Sequence, residues 1–205
     1  MNEWSLPEQA LNYLSRADKI PHRTEGESAL LEEINPHSKR ILDVGSGNGR
    51  LLDLCLLKCP DASGVALDFS STMLEKLREK YESGDRVTVV EHDLNGPLTF
   101  DFESFDVVVS SFAIHHVDDI RKYKLYKEIW EILQKDGIFC NLEHVSSPSE
   151  NLHEKFFEML GVEEDNSNIL LDVETQLKWL REIGFYDVDC LWKWRELALL
   201  VGKKC

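Results

Sequence analysis

Five short apolar runs recur along the middle of the chain: Arg40–Val44 (RILDV), Ser63–Asp68 (SGVALD), Arg86–Asp93 (RVTVVEHD), Phe105–Ser111 (FDVVVSS) and Gly137–Val145 (GIFCNLEHV). They are nearly continuous in Val, Ile, Leu and Phe, the pattern of strands covered on both faces of a parallel sheet. Between them lie stretches of helical period, Arg50–Lys58, Ser70–Glu82 and Asp119–Gln134. In the last of these, Ile120, Tyr123, Tyr126, Ile129, Trp130 and Leu133 form an apolar stripe. Ser70 or Ser71 supplies an N-cap, with Thr72 and Glu75 at capping-box spacing. This alternation predicts right-handed crossovers and an α/β fold, a doubly wound, mainly parallel sheet of Rossmann-like type.

Two flanking parts complete a single domain, 1–205. Residues 1–39 predict a helical lid, with helices over Glu8–Lys19 and Glu25–Ile34 broken at Ile20-Pro21. Residues 40–145 form the core. Residues 146–205 predict a cap with helices near Asn151–Leu160 and Val173–Ile183, then two strand-like runs with no helix between them. Those runs must pair as a hairpin, which puts an antiparallel strand at the sheet edge. Strict alternation sends Cys190, Trp192 and Trp194 to one face of the penultimate strand.

Composition narrows the functional classes. A chain of 205 residues with 42% apolar residues suits one domain with a sizeable core. Its 38 acidic residues against 23 basic give a net charge of −15, which repels phosphate backbones and argues against nucleic acid as the primary partner. No apolar run reaches the ~18 residues of a membrane span, and MNEWSLPEQA lacks a signal-peptide pattern, so a cytoplasmic protein is expected. Five scattered cysteines, mostly inside apolar runs, read as reduced packing residues.

The sharpest chemical signal is ILDVGSGNGRLLDL, in which Asp43, Gly45, Gly47 and Gly49 form D-x-G-x-G-x-G where the first strand meets a helix. Glycines there allow positive φ and close approach of the backbone to a ligand. Asp68 ends the second strand, where a carboxylate accepts hydrogen bonds from ribose hydroxyls, and Asp93 ends the third, where one takes an adenine amino proton. Three neighbouring strands thus deliver ligand groups to one sheet edge. A nicotinamide dinucleotide fits less well, because the third glycine falls one residue early for G-x-G-x-x-G. Tyr123 and Lys127, with Ser110 upstream, match a dehydrogenase Tyr-x-x-x-Lys, but Tyr123 belongs to the apolar stripe.

From Arg40 to Val145 the sequence resembles the class I S-adenosylmethionine-dependent methyltransferases. The resemblance implies a seven-stranded sheet with a final antiparallel hairpin and S-adenosyl-L-methionine as cofactor. It assigns the methionine part to Asp43 and the loop of Gly45, Ser46, Gly47 and Gly49. Asp68 takes the ribose, and Asp93 with Leu94 takes the adenine, with Phe69 and Met73 packed on it. Ser110 and Ser111 lie by the methionine amino or sulfonium group.

Histidine suits proton removal near neutral pH. His115 and His116, in SSFAIHHV, follow the fourth strand where the family places the wall facing the transferred methyl, so they are the candidate catalytic residues. Glu143 and His144 close the fifth strand and alternate onto opposite faces. His22, Arg23, His144, His153 and Trp194 are candidate substrate contacts. No metal is expected, since adjacent histidines chelate poorly from a rigid element.

The tail from Val173 is more loosely similar to carboxy-S-adenosylmethionine synthases of tRNA wobble-uridine modification. Those synthases bind an extra carboxylate with an arginine between the fifth strand and the VET helix, and here residues 146–180 contain none. Methyl transfer to a small-molecule acceptor is therefore expected, ahead of carboxylate transfer, a tRNA-modifying role or a non-catalytic cofactor-binding module.

Overall fold

A computed structural model describes residues 20–82, 84–101 and 104–205, so the helix expected at Glu8–Lys19 lies outside the described residues. The strands are β1 (Arg40–Val44), β2 (Ser63–Asp68), β3 (Val87–Glu91), β4 (Phe105–Ser111), β5 (Leu133–His144), β6 (Phe185–Trp194) and β7 (Leu197–Lys204). The helices are α1 (Arg23–Glu33), α2 (Arg50–Lys58), α3 (Ser71–Tyr81), α4 (Asp119–Ile132), α5 (Glu150–Leu160) and α6 (Val173–Ile183). One sheet runs in the order β3-β2-β1-β4-β5-β7-β6. Every pairing from β3 to β5 is parallel, and β7 lies antiparallel to both neighbours.

The antiparallel strand is therefore one place in from the edge, not at it. Burial explains the order: Leu197–Val201 is buried at every residue, so β7 needs cover on both faces and a strand on each side, whereas β6 alternates with solvent and takes the rim.

Leu30, Leu52 and Leu77 of α1, α2 and α3 share a core with Ile41, Val107, Val109 and Leu142 on one face of the sheet. Leu125, Tyr126 and Ile129 of α4 and Leu180 of α6 pack with Leu42, Val44, Val108 and Phe139 on the other. The chain winds outward from β1 through β2 and β3, then returns to place β4 beside β1. The carboxyl ends of β1 and β4 thus diverge at a topological switch point, where open α/β sheets bind ligands.

Three local expectations fail for definable reasons. Ile120 is 72% exposed, while Arg121 and Lys122 are buried, because those two basic groups make hydrogen bonds that turn α4 away from its purely apolar stripe. Ser70 is the N-cap of α3 but makes no side-chain cap bond; its backbone N–H goes instead to Asp68 Oδ1 at 2.9 Å. Cys190 packs with Ala198 and Leu200, whereas Trp192 and Trp194 pack with Leu197 and Leu199 on the opposite face. A register shift between Cys190 and Trp192 inserts a residue and reverses the alternation.

Candidate functional site

The loop after β1 is knitted to the end of β2. Gly45 and Ser46 donate backbone N–H groups to the Leu67 carbonyl at 2.8 and 2.9 Å. Ser46 Oγ donates to the Asp43 carbonyl (2.8 Å) and accepts the Leu67 N–H (3.0 Å). Gly45, Gly47 and Gly49 all have positive φ. They are not equivalent. A Cβ at Gly45 would meet Ala113 Cβ at 2.3 Å, and one at Gly49 would meet Tyr81 Oη at 2.7 Å, whereas one at Gly47 meets nothing within 4 Å. Gly47 therefore opens onto free space, while Gly49 permits the start of α2 to lie against Tyr81.

That space is a cleft at the switch point, with an empty volume of about 1050 Å³ counted out to open solvent. Its wall includes Asp43, Gly45, Ser46, Gly47, Asp68, Phe69, Met73, Asp93, Leu94 and Ser111, ten of the twelve residues assigned to the cofactor. Ser110 and Gly49 are not in the wall. The Ser110 hydroxyl is fully buried and donates to the Val44 carbonyl at 2.8 Å, joining β4 to β1.

Electrostatics mark the floor. Asp43 is 1% exposed, and neither of its carboxylate oxygens has a hydrogen-bond partner among the described residues. Ser46 cannot serve it, because its single hydroxyl hydrogen is spent on the Asp43 carbonyl. Burial pushes the Asp43 carboxyl up to about 7 and the charge of Asp68 adds to the rise, outweighing weak pulls from Ser46 and the Leu52 N–H, neither of which meets a carboxylate oxygen in hydrogen-bonding geometry. Ser111 Oγ is also buried and, among the described residues, unpartnered. Two orphaned acceptors in one cleft wall are costly unless a ligand meets them. Asp68 is raised by burial too, opposed by the N–H groups of Ser70 and Gly47, the latter 2.8 Å from Oδ2.

The far wall carries features that sequence reasoning missed. Asp93 Oδ1 accepts the Asn95 N–H at 2.9 Å, closing a turn that puts Asn95 in the wall. Arg121 holds this turn from behind: Nε donates to Leu94 O (2.5 Å) and Nη2 to Gly96 O (2.7 Å). The same guanidinium pairs with both oxygens of Glu128 at 2.6 Å, and Glu128 also accepts the Leu98 N–H. Phe112, which follows β4 at φ 54°, lines the cleft near Arg23, whose guanidinium lies 5.6 Å from the ring centroid. A bulky residue at positive φ is strained, and such strain concentrates at functional sites. Arg23 and Arg50 both line the cleft and share Glu27, which is 2% exposed. No motif announces that trio.

The histidines separate. His116 lines the cleft, and its Nδ1 lies 3.0 Å from Ser167 Oγ. His115 turns away: its Nδ1 lies 2.5 Å from Glu143 Oε1, with both side chains buried. Burial drives that pair toward neutrality, Glu143 up to about 7 and His115 well down. His116 is pushed down to about 3 by burial and by His115 beside it. His144 takes the opposite face from Glu143, as alternation requires, and bonds Glu196 at 3.0 Å. His153 bridges Glu196 and Glu164. His22 stacks on Trp194 with ring centroids 4.4 Å apart. Of the five residues expected to touch substrate, only Arg23 is in the cleft wall. The other four, His22, His144, His153 and Trp194, are engaged by protein partners outside it.

The donor set suits an adenosyl sulfonium: a buried carboxylate without a partner among the described residues is complementary to a cation, a second carboxylate sits by a backbone cradle, and the cleft is large enough for a nucleoside. Known proteins agree. The family profile described as a methyltransferase domain matches residues 41–137. A carboxy-S-adenosyl-L-methionine synthase of Nautilia profundicola is 21% identical over 85% of this chain and 81% of its own length. A demethylmenaquinone methyltransferase of Clavibacter sepedonicus is 31% identical over 74% of this chain and 67% of its own length. Human N-acetylserotonin methyltransferase, solved with S-adenosylmethionine, superposes with a TM-score of 0.71 at 14% identity, over 98% of this chain and 57% of that one. The chain spans only 51 to 60% of several other solved structures of this fold. The chain belongs to the S-adenosylmethionine-dependent methyltransferases.

Proposed function

We propose that this protein methylates a small organic acceptor at the His116 end of the cleft. The observation that carries the reading is the orphaned Asp43 carboxylate below the open Gly47 turn, a seat for the cationic methionine end of the cofactor. S-adenosyl-L-methionine, when bound, supplies an electrophilic methyl group. Asp43 and the loop of Gly45 to Gly47 hold its methionine part, Asp68 the ribose, and Asp93 with Leu94 the adenine. The Ser111 hydroxyl, unpartnered among the described residues, stands ready to donate or accept a hydrogen bond. Phe112, Val117 and Arg23 narrow the remaining space, and holding two reactants at near-attack distance in a dry site supplies most of the acceleration such a transfer needs.

His116, not His115, is the residue we assign to proton removal, because it lines the cleft while His115 is committed to Glu143. A neutral imidazole there takes a proton only from an acceptor that starts protonated. Two kinds of relative suggest the alternatives, a carboxy-S-adenosylmethionine synthase and a quinone-type methyltransferase. The lack of any arginine in residues 146–180 favours plain methyl transfer. The acidic surface favours a small acceptor over a nucleic acid.

The test is incubation with S-adenosylmethionine and a fractionated metabolite extract, following adenosylhomocysteine by mass spectrometry. Release together with a methylated metabolite is expected. A carboxylated cofactor would establish the synthase reaction instead. Tight cofactor binding without product from any fraction would make the chain a binding module.

A further inference from the structure

Resting on the reading of the cleft as a cofactor site, the geometry points to Lys80 and Tyr81, with Asp53 between them, as positioning residues that hold the outer arm of the glycine loop for the methionine part of S-adenosylmethionine. Lys80 and Tyr81 close α3, Asp53 sits in the first turn of α2, and none of the three lines the cleft. The Lys80 ammonium donates to the Asn48 carbonyl at 3.0 Å and pairs with Asp53 Oδ2. The Tyr81 hydroxyl lies 2.7 Å from Asp53 Oδ1 and 3.3 Å from the Gly49 carbonyl, so its one hydrogen is shared between them, mostly with the acid. Asp53 also donates its backbone N–H to the Gly49 carbonyl at 3.0 Å. Two successive loop carbonyls are thus gripped by two neighbouring side chains that a single carboxylate aligns.

The loop needs such a grip. Its inner arm, Gly45 and Ser46, is tied to Leu67, and Gly47 is tied to Asp68. Beyond Gly47 the chain passes through the exposed Asn48 to another glycine at positive φ. A stretch with so little side-chain packing has many conformations to lose, and time spent outside the binding form weakens apparent affinity in proportion. Asn48 is itself in the cleft wall, so a displaced outer arm is felt by the ligand. Met73, in the first turn of α3, lines the cleft as well, so one helix sets this wall and braces the loop.

Stability alone does not account for the grip. The Lys80 and Asp53 side chains are 36% and 39% exposed, and an ion pair so open to water contributes little to folding. Gly49 points the same way. A Cβ there would meet Tyr81 Oη at 2.7 Å and Leu77 Cδ2 at 3.0 Å, so the hydroxyl fills the space that the glycine leaves. Tyr81→Phe takes away that oxygen and keeps the ring packed on the core.

The experiment is calorimetry on the full chain with two ligands, S-adenosylmethionine and methylthioadenosine, which keeps the nucleoside and lacks the amino-acid part. Lys80→Met and Tyr81→Phe should each weaken S-adenosylmethionine by about fivefold or more and methylthioadenosine by less than about twofold. Both variants should melt within about 3 °C of wild type. Lys80→Arg keeps donors for both oxygens and should bind S-adenosylmethionine within about twofold of wild type. Equal losses for the two ligands, no loss, or an arginine variant as poor as the methionine one overturns the assignment. Hydrogen exchange on the ligand-free chain separates the clamp from the cofactor reading. The bonded amides of Gly47 and Gly49 should exchange about tenfold faster in Lys80→Met, and an unchanged rate overturns the clamp. A wild type that binds neither ligand, with that exchange still responding, sinks the cofactor site and leaves only a loop brace. One that binds both, with exchange unaltered by the substitution, sinks the clamp alone.

Discussion

Asp68 Oδ2 accepts the backbone N–H of Gly47 at 2.8 Å, so the acid that ends β2 also shapes the turn that follows β1. Its other oxygen takes the Ser70 N–H at the start of α3. One carboxylate therefore sets two walls of the cleft. In Asp68→Asn the amide nitrogen cannot accept, and one of these bonds is lost. We expect ~1–2 kcal/mol of lost stability and at least a roughly tenfold weaker Kd for S-adenosylmethionine. Calorimetry and urea denaturation check the two effects, and unchanged affinity would remove Asp68 from the ribose site.

Asp43 gives the protein a pH signature. Its folded pKa, about 7, lies above the ordinary carboxylate value, so the folded chain holds an extra proton between about pH 4 and its own pKa. The stabilising contribution is complete below that window and is lost as pH rises through it. Asp43→Asn should therefore melt a few degrees higher than wild type near pH 8 and show no gain near pH 4. Glu143, raised to about 7 by burial, contributes a slope of the same sign that the variant retains. The ionised form attracts the cofactor's cation, so wild-type affinity should strengthen from about pH 6 to about pH 8. Affinity measured across that range in both proteins is the check, and a flat wild-type profile would contradict a charge contact at Asp43.

Glu27 joins α1 to α2. It bonds Arg23 at 2.8 Å within α1 and Arg50 at 2.8 Å on α2. Removing the acid in Glu27→Ala leaves two guanidiniums at the cleft wall without their shared counter-charge. A loss of roughly 2–4 kcal/mol is expected from chemical denaturation, below the figure for a fully buried pair because Arg50 reaches solvent. A change under ~0.5 kcal/mol would show that water already screens the trio.

His153 ties α5 to the sheet through Glu196 and to the following segment through Glu164. Burial opposes its charged form, but hydrogen bonds to the two acids win and raise its pKa. The stability it lends is full below the unfolded value near 6.5 and fades as pH rises through the folded one. Hydrogen exchange over residues 161–172 should accelerate with pH, beyond the intrinsic rate, across that interval. His153→Gln should abolish the excess, and equal profiles in the two proteins would refute the link.

Strand–helix alternation located β1, β2 and β4 to the residue, and the spacing of Asp43, Gly47 and Asp68 located the cleft floor. Those features are legible because backbone geometry and strand order dictate them locally. The partners of the histidines were not. Glu143 meets His115, and Ser167 meets His116, only once the sheet and the α5–α6 segment are assembled, and no spacing records that encounter. The inserted residue in β6 is equally silent, since Cys190, Trp192 and Trp194 satisfy perfect alternation on paper. Arg121 and Lys122 look like surface cations and are buried because backbone carbonyls await them.

The Arg121 guanidinium spans Leu94 and Gly96 while gripping Glu128 two turns further along α4. The Asp93 end of the cleft thus borrows its rigidity from a helix that need never touch the ligand. Warming that frays the start of α4 should release this end first, so binding will fail at temperatures where the sheet is still intact.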